Sequence, residues 1–181
     1  MLRTLTSRSD RAAVRDRAII RLLFDVGLRR AEVVSLDVAH FDAAAGTLAV
    51  LGKKRRAREA ITLPAPTCAV LAAWLDVRGA EARALFLNFD RAGKGRATAS
   101  RLTGRSVARI VALASAAAGV GLVRPHGLRH AAITHALDVC AGDVRKVRKF
   151  SRHRDLRTLT VYDDNRQDVA GKVAKLVAGE G

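Results

Sequence analysis

Between residues 11 and 27 the apolar positions recur at helical spacing. Val14, Ala18, Ile19, Leu22, Leu23 and Val26 line one face, and Arg and Asp residues fill much of the other. Asp10 stands where an N-cap carboxylate would accept from a first-turn N–H, and Gly27 is the expected stop. A second, short helix is expected over about 30–36, with Val33, Val34 and Leu36 inward. From residue 38 the pattern changes. Short β-like runs at 38–41, 47–51 and 60–63, the last two separated by the polar segment 52–59, predict a small antiparallel sheet with a basic turn. Pro64 and Pro66 open a further helix through about 77, with Val70, Leu71, Trp74 and Leu75 on one side. The apolar piece 84–87 then runs into a Gly-rich polar loop over 90–99. Thr103 is placed to cap a helix over 104–118, and Pro125 opens one with Leu128, Ala132, Ile133 and Leu137 at helical spacing. Three more helices are expected at 143–150, 155–162 and 165–177. The pattern predicts a mainly α chain with a small antiparallel β-sheet, an α+β fold, as a single domain over residues 1–181.

A length of 181 residues suffices for one sizeable core. Charge then narrows the class. Thirty-three Lys and Arg against seventeen Asp and Glu leave a net +16. A surplus of this size repels itself in a compact fold and favours a polyanionic partner, nucleic acid first and an anionic membrane surface second. The plain alternative is a generic basic protein such as a ribosomal component. Because the cations are spread over the whole chain, a basic interfacial membrane helix is disfavoured. The N-terminal stretch with Arg3, Arg8, Asp10 and Arg11 has no apolar signal core, and the weakly polar run 110–123 is too short to span a bilayer. A cytoplasmic, nucleoid-associated protein with no membrane partner is expected. Cys68 and Cys140 sit far apart in apolar surroundings and read as small core residues, not a disulfide or metal framework.

The densest chemistry lies in Arg124-Pro-His-Gly-Leu-Arg-His130. With Pro125 in the first turn, His126 and Arg129 fall on one face near a helix N-terminus. That end offers unpaired N–H groups and partial positive charge, which suit a phosphate, and a guanidinium can grip two phosphate oxygens with its planar fork. An amphipathic helix with exposed basic residues is the ordinary alternative. His126, His130 and His135 lack the neighbouring carboxylate of a zinc-protease helix, so no metal site is expected. Tyr162 is the only Tyr in the chain. A phenol of pKa about 10 needs nearby cations or a base to act as a nucleophile. His153 lies nine residues before it, among Arg152, Arg154 and Arg157. A buried aromatic on an amphipathic helix is the competing explanation. The segment from Gly46 to Lys54 does not have phosphate-loop spacing, and Gly93-Lys-Gly-Arg96 reads as a flexible DNA-facing loop.

These pieces together resemble the catalytic domain of tyrosine recombinases, the phage-integrase family. Gly27-Leu-Arg-Arg-Ala-Glu32-Val-Val-Ser-Leu36 is similar to the first family box, Gly-Leu-Arg-x-x-Glu-x-x-x-Leu, with Arg29 at its Arg. Gly52-Lys53 followed by Ile61-Thr-Leu63 is similar to the family hairpin and puts Lys53 at the catalytic Lys. His126–His130 carries the second box, His-x-Leu-Arg-His, and His153 and Tyr162 match the downstream His and the nucleophile. The resemblance covers nearly the whole chain, with six positions filled in order. It implies the fold of DNA breaking-rejoining enzymes. It also implies a catalytic set of Arg29, Lys53, His126, Arg129, His153 and Tyr162, with Tyr162 as nucleophile and Lys53 as general acid. Double-stranded DNA is the implied partner, contacted further by Lys54, Arg55, Arg56, Lys94, Arg96, Arg152 and Arg154. The implied chemistry is strand cleavage and rejoining through a 3′-phosphotyrosyl bond, with no metal, ATP or other cofactor. A tetramer on paired DNA sites follows, and a monomer without DNA. Residues 165–178, with Val169, Val173, Leu176 and Val177, suit either a helix docking on a neighbour or one packed on its own domain. Two alternatives stay open: a type IB topoisomerase-like strand relaxer, and a catalytically weak DNA-binding accessory protein.

Three departures from the family pattern matter. Ser151-Arg152-His153 stands where the family has Leu-Gly-His. The hairpin turn is denser in cations than usual, so Lys54 rivals Lys53. Only 28 residues precede Arg29, so the helical clamp domain that the family carries N-terminally is expected to be absent.

Overall fold

The computed structural model describes residues 10–52, 55–79, 83–89, 97–153, 159 and 177–178. The chain divides into two compact units, Met1–Arg129 and His130–Gly181.

The first unit begins with α1 (Arg11–Phe24), capped by Asp10, whose Oδ1 accepts from the Ala13 N–H at 3.0 Å. Its apolar stripe is fully used: Ala18, Ile19, Leu22 and Leu23 are all buried. The helix stops at Phe24, three residues before the expected Gly27, with the Asp25 N–H closing on the Arg21 carbonyl. Gly27 instead forms the turn beyond it, at φ +60°, which favours a residue without Cβ. The chain then enters α2 (Arg30–Val34).

Residues 38–41, expected as a strand, fold as a 3₁₀ turn over Val38–His40 that leads into β1 (Phe41–Asp42). A side chain decides this. His40 Nδ1 accepts from the Asp37 N–H at 2.8 Å while the His40 N–H donates to the Asp37 carbonyl at 3.1 Å. Such local side-chain bonds compete with a sheet ladder. Strands β2 (Thr47–Val50) and β3 (Glu59–Thr62) pair antiparallel, and the sheet order is β1-β2-β3. Leu48 faces Ile61 and Val50 faces Glu59 in register, with Leu48 and Val50 buried.

Helix α3 (Ala65–Arg78) starts behind Pro64 and packs along α1. Thr67, at its first turn, donates its hydroxyl to Asp25 Oδ2 at 2.7 Å. Trp74 is wholly buried, stacks on Phe86 at 6.3 Å between ring centroids, and donates Nε1–H to the Leu85 carbonyl at 2.9 Å. This satisfies the indole's one polar group inside the core.

A second sheet, absent from the sequence expectation, joins β4 (Leu87–Phe89) to β5 (Ala97–Arg101) antiparallel, with Leu87 opposite Arg101. Residues 97–99, expected in the loop over 90–99, therefore belong to β5. Ala-Thr-Ala-Ser-Arg has no bulky apolar alternation, so only its pairing with β4 makes it a strand. Helix α4 (Gly104–Ala117) follows, with the Thr103 hydroxyl oxygen accepting from the Ser106 N–H at 3.1 Å. It buries Val107, Ile110, Val111 and Ala114.

Helix α5 (Pro125–Val139) begins in the first unit, and its later turns belong to the second. There Ile133 and Leu137 gather with Val147 and Leu159 into a separate apolar cluster. Helix α6 (Val144–Ser151) is capped by Asp143, whose Oδ1 accepts from the N–H groups of Arg145 and Lys146, each at 3.0 Å. Cys68 and Cys140 are free thiols, half-buried against the cores of the first and second units respectively. The helices expected at 155–162 and 165–177 lie outside the described residues, save for 159 and 177. Among the described residues no helix is long and apolar enough to cross a membrane.

Candidate active site

Arg29 sits at the N-cap of α2 in extended backbone, φ −76° and ψ 151°. Glu32, three residues on, does two jobs. Its Oε2 accepts from the Arg29 N–H at 2.8 Å, and its Oε1 pairs with Arg29 Nη1 at 2.7 Å. The Glu32 side chain is 3% exposed and that of Arg29 is 25% exposed. The carboxylate thus caps the helix and holds the guanidinium, while part of the Arg29 side chain stays at the surface. One carboxylate therefore serves both the helix end and the Arg29 side chain.

A five-residue helix cannot hold itself in water, so its ends must be held from outside. At the C-terminal end, Arg101 Nη1 donates to the carbonyls of Val34 and Leu36, both at 2.8 Å, and its Nη2 pairs with Asp37. Arg83 Nε meets the other Asp37 oxygen at 2.9 Å. Burial pushes the Asp37 carboxyl upward, but the Arg101 and Arg83 contacts outweigh it and hold the group below its ordinary range. Burial, and then the positive charge of Arg58, pushes the neighbouring His40 ring below the usual histidine value. This keeps Nδ1 available as an acceptor. Periodicity marked none of Asp37, Arg58, Arg83 or Arg101. Each has a partner 23 to 67 residues away along the chain.

Arg129 and His126 occupy the first turns of α5, as expected. His126 is exposed. Arg129 is 3% exposed, and its Nη1 donates to the Gly27 carbonyl, 102 residues earlier. The two arginines picked from separate boxes therefore converge on one short segment, Gly27 to Arg29. The left-handed turn at Gly27 points its carbonyl at one guanidinium while the next two residues lead to the other.

The basic hairpin is described on either side of its tip. Arg55 and Arg56 are exposed, and the Arg55 N–H closes a turn onto the Gly52 carbonyl at 3.0 Å. Lys53 and Lys54 lie outside the described residues, as do Lys94, Arg96, Arg154 and Tyr162.

In the second unit, α6 ends at Ser151. Arg152 follows in the left-handed conformation, φ +55° and ψ 33°, its N–H donating to the Arg148 carbonyl at 2.9 Å. This is the position at which Arg replaces the family's Gly, and the geometry explains why a Gly suits it. The Arg152 Nη1 turns back to the Phe150 carbonyl at 3.1 Å. His153 comes next, its carbonyl accepting from Arg148 Nε at 3.4 Å. Among the described residues no three His, Cys, Asp or Glu side chains gather as a metal site.

A sequence profile of the phage integrase family matches residues 1–168 of this chain. The chain belongs to the phage integrase family. It is 41% identical over 167 residues to a tyrosine recombinase of Synechocystis sp. (strain ATCC 27184 / PCC 6803 / Kazusa), a match covering 91% of this chain and 52% of that protein. It is 35% identical over 158 residues to the tyrosine recombinase XerC of Escherichia coli, covering 85% of this chain and 50% of XerC. The chain thus spans about half the length of these curated relatives. Among solved structures, the XerH site-specific recombinase bound to its palindromic difH substrate in a post-cleavage complex matches with a TM-score of 0.74. That match covers 98% of this chain and 50% of XerH at 24% identity, and it shows a shared α+β fold. The mainly helical integrase fold expected from the boxes is the fold observed, with two small sheets among the described residues in place of one.

Proposed function

We propose that this chain carries the strand-cutting and rejoining chemistry of a site-specific DNA recombinase. One observation supports this above the rest: Arg29 and Arg129 are built onto the two ends of the Gly27–Arg29 segment, one through a buried Glu32 and the other through the Gly27 carbonyl. Two guanidiniums converging there form a fork for a phosphodiester, and they supply transition-state charge at fixed positions.

In this reading Tyr162 Oη attacks the phosphorus in line. The Oη–P bond forms, the P–O5′ bond breaks, and a 3′-phosphotyrosyl link and a 5′-hydroxyl result. The phenolic proton passes to His126. Lys53 gives a proton to the leaving O5′, since a Lys among cations has a lowered pKa and is a better acid. Arg29 and Arg129 hold the non-bridging oxygens, and His153 donates to one of them. Rejoining is the reverse and needs no ATP, because the phosphotyrosine keeps the bond energy. Double-stranded DNA is the partner, with Arg55, Arg56, Arg152, Lys54, Lys94, Arg96 and Arg154 on its backbone. Four copies act on paired sites.

The test is a nicked suicide substrate incubated with wild type and with Tyr162→Phe. Wild type should give an SDS-resistant protein–DNA adduct, and the variant should give none while binding DNA nearly as well. An adduct formed by Tyr162→Phe refutes the nucleophile. Relaxation of supercoiled plasmid without a recombination site moves the reading to a topoisomerase. DNA binding without any adduct from wild type moves it to an accessory protein.

A further inference from the structure

Arg58 has no place in the catalytic set, yet its guanidinium joins the root of the basic turn to the C-terminal end of α2. It is the last residue before β3, so it sits at the root of the basic turn. The last register pair of the hairpin is Val50 opposite Glu59, and everything from 51 to 58 lies beyond it. From there Arg58 Nη1 donates across the mouth of the turn to the Ala49 carbonyl at 3.3 Å. Its Nη2 reaches in the other direction, to the Ser35 carbonyl at 3.2 Å. Ser35 is the C-cap of α2, the helix that has Arg29 at its N-cap. Five residues at about 1.5 Å each make a helix of only about 7.5 Å, so what grips one end sets the position of the other.

We infer that Arg58 is a positioning residue, a tie that fixes the Lys53-bearing turn to the helix that presents Arg29. The inference rests on the reading of Lys53 as proton donor. Three features argue for a tie of this kind over simple packing. The two acceptors belong to different elements, so one planar fork holds both, and an ammonium in the same place has no such fork. The C-terminal end of α2 is already held by Arg101, through the Val34 and Leu36 carbonyls and Asp37. Loss of Arg58 therefore leaves α2 seated and β2 and β3 paired, and loosens only the turn beyond them. The turn itself is otherwise closed by the Arg55 to Gly52 bond within its own tip, which does nothing to orient it against α2.

The consequence concerns one step. A loosened turn slows protonation of the leaving O5′ and leaves the nucleophile and phosphate grip untouched. The experiment is single-turnover cleavage by the full chain at saturating protein, on two suicide substrates. One has the ordinary 5′-oxygen leaving group and the other a 5′-phosphorothiolate, which needs no acid. Arg58→Lys, Arg58→Ala and Lys53→Ala are compared, with circular dichroism and DNA affinity measured for each. Arg58→Lys keeps the charge, so its affinity should match wild type. Its cleavage of the oxygen substrate should fall roughly 10- to 100-fold, within the span of a lost general acid. The phosphorothiolate should return it to near the wild-type rate. Wild-type cleavage of the oxygen substrate by Arg58→Lys, or equal slowing on both substrates, overturns the tie. The Lys53→Ala arm separates the two ideas. If that variant is not rescued while Arg58→Lys is, the donor is another hairpin group and the tie stands. If neither is rescued, both fall.

Discussion

Replacing Arg152 by Gly should leave stability nearly unchanged and make the protein worse at its task. Arg152 holds φ +55° and ψ 33° directly after α6. An L-residue in that region carries a penalty of roughly 1–2 kcal/mol that Gly escapes. Against this, Gly has more freedom to lose from the unfolded chain, roughly 0.5–1 kcal/mol. The bond from Arg152 Nη1 to the Phe150 carbonyl also goes, a loss of about 0.5 kcal/mol for a partly exposed pair. The balance runs from a loss of about 0.5 kcal/mol to a gain of about 1 kcal/mol, or about −2 to +4 °C in Tm for a chain of this size. Strained residues of this kind collect at functional sites, and this one stands beside His153. If its guanidinium meets a DNA phosphate, Arg152→Gly should weaken binding and flatten the salt dependence, lowering the log–log slope by about 0.9. Thermal melts and DNA titrations from low to moderate salt measure both. A variant that melts clearly below wild type contradicts the conformational argument. An unchanged salt slope removes Arg152 from the DNA contacts.

Glu32→Ala removes both the cap and the partner of Arg29; it should cost about 2–3 kcal/mol in urea denaturation and cut cleavage about as much as Arg29→Ala. Glu32→Gln, which keeps an acceptor for the Arg29 N–H, should lose less stability than Glu32→Ala. Gly27→Ala puts a Cβ at φ +60° and should cost about 1–2 kcal/mol. It should also slow cleavage, because the displaced carbonyl is the one that anchors Arg129. Asp37→Asn should destabilise the protein at neutral pH. The Asp37 carboxyl is held below its ordinary 3.8, so its contribution is complete above that value and fades as pH falls through the lower folded value. The stability difference between variant and wild type should therefore shrink in strong acid, as read from denaturant midpoints across a pH series.

Much of this molecule was legible along the chain because the determinants are local. Asp10, Thr103 and Asp143 cap their helices where side chains two or three residues from an N–H must reach. The 3.6-residue period of Ile19, Leu22 and Leu23 needs no partner to be read. The ordered boxes around Arg29, His126, Arg129 and His153 named the family, and for Lys53 and Tyr162 the sequence remains the source of their assignment. Other features depended on residues far apart. No local signal distinguishes Arg58 or Arg101 from any surface arginine, because the carbonyls that hold them are 23 and about 65 residues away. Strand β5 has no hydrophobic period and exists through its pairing with β4. The grip of Arg129 on Gly27 joins two boxes that the sequence could only set side by side. Sequence determined which groups are available and which short elements bear them. Tertiary structure decided how those groups are held, because a five-residue helix and a charged turn acquire fixed positions only from contacts that chain folding brings to them.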